Sequence, residues 1–69
     1  MTRNELFAAA ETYLENSRIC LDKAAEVSEL FCATGLNGYH EMHTTYCEQA
    51  NSWTEMARSA MQLAKETPL

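Results

Sequence analysis

The chain has 69 residues, with ten acids against five bases and a formal net charge of −5. That length allows a single domain and excludes a large core, because a chain this short buries only roughly 60% of its unfolded surface. The negative balance disfavours general binding to a phosphate backbone or an anionic membrane, and a hydrophobic fraction of 46% argues against a disordered chain.

The first element follows from the N-terminal residues. Thr2 and Glu5 form a T-x-x-E capping box, which opens helix 1 at about residue 3. Helical periodicity then continues to about Phe31. One apolar row holds Leu6, Tyr13, Cys20 and Val27, and a second holds Phe7, Leu14, Leu21 and Ser28. Between them runs a row of mostly small residues, Ala10, Ser17 and Ala24, followed by Phe31. Seven-residue spacing keeps each row on one face, as in a coiled-coil seam, and the small row admits a closely packed partner helix.

Ala33-Thr34-Gly35-Leu36-Asn37-Gly38 carries the turn signal, so the turn is expected over residues 32–38. The glycines tolerate positive φ, Asn37 is a candidate cap for the next helix, and Leu36 is expected to fold back over the end of the hairpin.

Helix 2 is expected from about Tyr39 to residue 66. Its rows are Tyr39, Tyr46, Trp53 and Ala60; Met42, Gln49, Met56 and Leu63; and, placed between them, His43, Ala50, Ala57 and Ala64. Lys65 lies in the last turn, where the helix dipole favours a cation. A break at Asn16-Ser17 or Asn51-Ser52 would give three helices instead of two.

Two helices of similar length joined by a short turn make antiparallel neighbours, so the fold class is all-α, an antiparallel two-helix hairpin forming one domain over residues 1–69. A core of this size rarely supplies more than ~3–5 kcal/mol. Ile19 and Leu30 lie off the main face of helix 1, and Cys47 and Met61 lie at the edge on helix 2. The leftover apolar surface points to pairing with a second copy in a four-helix bundle.

Several groups are candidates for chemistry. Cys32, His40, His43 and Cys47 make up a tetrahedral zinc set in residue type, but their spacing fits no zinc-finger pattern. The expected reading is structural, with His43 in the seam and the cysteines as small apolar fillers. A Cys47–His43 nucleophile pair would also need a pocket and an oxyanion site, which a thin hairpin does not offer, so no enzyme activity is expected. The aromatic row of helix 2 has no adjoining bases, which favours packing over base stacking. Three cysteines and no recognisable export signal suggest reduced thiols and a cytoplasmic setting. No apolar run approaches the ~20 residues that span a bilayer.

The function expected from these features is that of a small non-catalytic helical interaction or regulatory protein. It would act without a cofactor, as a homodimer that binds another protein, in the style of accessory proteins of phages and mobile elements. Its candidate docking residues are Glu11, Glu15, Arg18, Ile19, Asp22, Glu26 and Leu30, a stripe on helix 1 that would suit a basic partner. One alternative is a helical dimer that binds structured RNA through Arg3, Arg18 and Lys23. In length and hairpin design the chain resembles small plasmid-encoded dimers that act on RNA loop pairs, although it shares no residue motif with them. A metal-stabilised regulatory protein built on the Cys/His cluster is another.

Overall fold

The computed structural model describes residues 1–69 and consists of two long helices, α1 (Arg3–Thr34) and α2 (Asn37–Glu66), packed as a hairpin measuring 53 × 13 × 12 Å. Neither helix breaks at the Asn-Ser pairs, so two elements form and not three.

The capping box at the start of α1 is complete. The Glu5 amide donates to Thr2 Oγ1 at 3.1 Å, and the Thr2 amide donates to Glu5 Oε1 at 3.1 Å. Two of the orphan amides at the helix start are thereby satisfied.

The turn is much shorter than the sequence suggests. Cys32, Ala33 and Thr34 continue the helix, and only Gly35 and Leu36 lie between the two elements. Gly35 ends α1 at φ 70° and ψ 11°, a left-handed conformation that other residues enter at a cost, and its amide donates to Phe31 O at 2.7 Å. Thr34 Oγ1 donates to Leu30 O at 2.7 Å and accepts from the Leu36 amide at 3.3 Å. With these bonds closing the chain reversal, no longer loop is needed. The expectations for the residues that follow are corrected. Leu36, not Asn37, is the N-cap of α2 and makes no side-chain capping bond. Gly38 lies inside the helix without positive φ, and Leu36 is exposed instead of folded over the end.

The small rows meet along the seam as expected. Ala57 and Ala64 are fully buried, and Ala10, Ala24, Ala50 and Ser17 are nearly so. Only Leu6 and Val27 add larger buried side chains, so the core is thin. Ser17, at its centre, donates to Ala50 O at 3.1 Å and lies 2.8 Å from Thr54 Oγ1.

The flanks of the seam differ from the expected arrangement on α2. At about 100° per residue, Trp53 lies only about 40° from Ala57, whereas Met56 lies about 100° away. The Tyr39–Tyr46–Trp53 row therefore lies between the alanines and the methionines. Met42, Gln49, Met56 and Leu63 are exposed, while Cys47, Thr54 and Met61, on the other side of the alanine row, are half-buried. Leu14 and Leu21 of α1 are likewise exposed at the edge of the seam.

Candidate interaction surfaces

Three surfaces surround the seam, and each can be built from the helix phase of its residues. The outer face of α1 carries the stripe singled out in the sequence. Glu11, Glu15, Arg18, Ile19, Asp22, Glu26 and Leu30 are all exposed, with Ile19 at 44% and Leu30 at 43%. Each of those two apolar side chains is thus set among carboxylates and reachable from solvent. Arg18 anchors the stripe. Its Nε donates to Glu15 Oε2 at 3.1 Å, Nη2 bonds the other Glu15 oxygen, and Nη1 donates to Asp22 Oδ2 at 2.8 Å.

These bonds shift protonation. The Arg18 guanidinium, through its hydrogen bonds and its charge, holds the Glu15 carboxyl below its ordinary pKa. The Thr2 amide and hydroxyl do the same for Glu5. Arg18 is pushed up in turn, chiefly by its bonds to Glu15. Both carboxyl groups are therefore more acidic in the folded chain than in the unfolded one. Their contribution to stability is complete above the ordinary carboxylate range and is lost as pH falls through their lowered values. The Arg18 contribution is lost only in strong alkali. The unfolding temperature is expected to fall between about pH 6 and about pH 3. The double variant Glu5→Gln/Glu15→Gln should show a shallower decline in thermal melts, and an equal slope would remove these two groups as the cause.

The other bases of α1 also have local partners. Arg3 lies over the Phe7 ring, 5.6 Å from its centroid, and Lys23 Nζ is 3.7 Å from Glu26 Oε2. The three side chains proposed as RNA contacts therefore face their own helix's acids or ring, and they do not form one basic patch.

The Cys/His residues do not converge. His43 and Cys47 touch, with the sulfur 3.8 Å from Nε2 and 4.0 Å from Nδ1. His40 instead packs on Phe31 across the turn, with ring centroids 5.5 Å apart, and Cys32 is exposed. No group of three or more His, Cys, Asp or Glu side chains is arranged to hold an ion. All three cysteines are free.

A third surface carries more weight than its sequence signal suggested. On one side of the seam, Tyr13 of α1 stacks on Trp53 of α2, with centroids 5.8 Å apart and planes 25° apart. Cys20 approaches Gln49 on the same side. Tyr39 and Tyr46 continue the row, and Met42 and Met56 border it, 42% and 44% exposed. Shallow open grooves run along this edge, one lined by Glu41, Met42, Tyr46 and Gln49 and the other by Glu48, Gln49, Trp53 and Met56. The sequence placed these aromatics in the core. They are only half-buried there, and the clue lay in the helix phase that puts the methionines outside them.

No helix is long and apolar enough to cross a membrane. Compared with family models, curated proteins and solved structures, the chain shows no match, so its surfaces are the basis for a functional reading.

Proposed function

We propose that this protein is a small helical interaction module that acts by binding another protein, and that it works as a homodimer of hairpins. The observation that carries this reading is the imbalance between core and surface. A compact monomer of 7.8 kDa is expected to expose roughly 4,400 Å², and this chain exposes 4978 Å². Leu14, Ile19, Leu21, Leu30, Met42, Met56 and Leu63 are each more than 40% exposed. A stable interface covers roughly 800 Å² per partner, which a rod 53 Å long can supply from one side. The grooves are open and shallow, which supports binding of a macromolecular surface over a small substrate.

The outer face of α1 is the proposed site for the second, different protein. Its carboxylates attract a basic surface, and Ile19 and Leu30 supply apolar anchors. The test has two parts. Sedimentation equilibrium should give twice the chain mass at micromolar concentration, and a single-chain mass throughout would overturn the homodimer. Affinity capture from a host lysate should return a protein that the Ile19→Glu/Leu30→Glu variant fails to retain. Identical capture by both chains would overturn the docking face.

A further inference from the structure

We infer that His43 and Cys47 form a two-ligand site for zinc or a similar thiophilic cation on one flank of α2. The inference stands apart from the homodimer reading.

Spacing is the first argument. The two residues are four apart on α2, so they lie one above the other on the same helix face. Paired ligands at this separation on a helix chelate zinc, because one helical turn matches the span between two donors of a single ion.

The observed distance agrees. With a metal–sulfur bond of ~2.3 Å, a metal–nitrogen bond of ~2.0–2.1 Å and a tetrahedral angle, the two donors of one zinc ion lie about 3.6 Å apart. Cys47 Sγ is 3.8 Å from His43 Nε2. It is also 4.0 Å from Nδ1, so the sulfur meets both ring nitrogens almost alike. A turn of the imidazole about its Cβ–Cγ bond aims the Nε2 lone pair at an ion held by the sulfur. That torsion is broad in histidine, so the turn costs little. Both side chains are half-buried, which leaves them reachable by an incoming ion.

Donor chemistry then selects the ion. A thiolate and an imidazole suit zinc and its softer neighbours, whereas magnesium and calcium take oxygen ligands. The thiol proton passes to solvent as the sulfur–metal bond forms. Water fills the remaining coordination positions. No second thiol meets an imidazole in this chain. Cys20 approaches the Gln49 amide oxygen, His40 packs on Phe31, and Cys32 is exposed. The pair is also set by the fold. An unfolded chain does not hold residues four apart in register, so binding favours the helical state.

The test titrates cobalt(II), a coloured stand-in for zinc, into the reduced, unaltered chain. A thiolate-to-cobalt charge-transfer band should grow, saturate at one ion per chain and bleach on addition of zinc. Zinc alone should raise the thermal midpoint followed by circular dichroism. A chain that develops no such band up to millimolar cobalt would overturn the site. Variants locate the donors. Cys20→Ser/Cys32→Ser should keep the band and its midpoint, and Cys47→Ser should abolish it. His43→Gln should weaken cobalt binding about 10-fold or more, through loss of one of two protein ligands. A band that survives Cys47→Ser, or an unchanged midpoint in His43→Gln, would also overturn the assignment. The Cys20→Ser/Cys32→Ser variant, whose one thiol is Cys47, decides the sulfur donor even if Cys47→Ser does not fold.

Discussion

Ala57→Leu is expected to remove most of the hairpin's stability. Ala57 is 0% exposed and belongs to a seam of small residues that also holds Ala50, Ala64, Ala10 and Ala24, none more than 3% exposed. The helices approach closely only because these side chains end at Cβ. Leucine adds three carbons that must either enter the opposite backbone or push the helices apart, and overpacking of this kind costs about 1–3 kcal/mol or more. Separation would also loosen the buried contacts of the neighbouring alanines. The core of a chain this small supplies about 3–5 kcal/mol, so one such substitution removes most of the margin. Ser59→Leu is the control. It adds a leucine to the same helix at an exposed position and is expected to stay within about 0.5 kcal/mol of the parent. Urea titrations at one fixed chain concentration compare the two, because self-association of the proposed kind makes stability depend on concentration. Equal midpoints for A57L and S59L would mean that the alanine row does not set the helix spacing.

The alanine row was legible in the sequence because small residues recur every seven positions in both segments, and no other arrangement buries both rows. The T-x-x-E box was legible for the same reason: the chemistry is local. The turn was not. Cys32, Ala33 and Thr34 read as punctuation beside two glycines, yet a single glycine in the left-handed conformation is enough to stop α1, and the Thr34 hydroxyl closes the reversal. The flanks of the seam depended on rotation about the axis of α2. Helix phase already sets Trp53 nearer the alanine row than Met56, and the expectation that the alanines lay between the two rows overlooked it. The acidic stripe on α1 is exposed as its charge pattern implied, whereas the aromatic edge was hidden by the ordinary rule that aromatics fill cores. That rule holds for a molecule with more than one packed layer, and this hairpin has a single seam.

The rotation of α2 has a physical anchor, and this leads to the second large effect. Ser17 is the only buried polar side chain. Its hydroxyl, the Thr54 hydroxyl and the Ala50 carbonyl form a triangle with sides of 2.8, 2.9 and 3.1 Å. Two hydroxyl protons serve three contacts. Thr54 donates back to Ala50 O within its own helix, so it stays satisfied without Ser17. Ser17 has only cross-helix partners. With the Thr54 proton on Ala50 O, the single Ser17 proton goes to Ala50 O or to Thr54 Oγ1, and either bond ties this face of α2 to the seam. Ser17→Ala should cost about 1 kcal/mol, the net value of one hydrogen bond, since it leaves no buried donor stranded. Ser17→Val loses the same bond and adds bulk to the tight row, so about 2–3 kcal/mol is expected. The gap between the two variants separates volume from bonding. A double-mutant cycle of Ser17→Ala with Thr54→Val, read by urea titration, isolates the coupling, which is expected at about 1 kcal/mol. A coupling of zero would show that the hydroxyls merely lie side by side, and some other contact would then have to hold α2 at its observed angle.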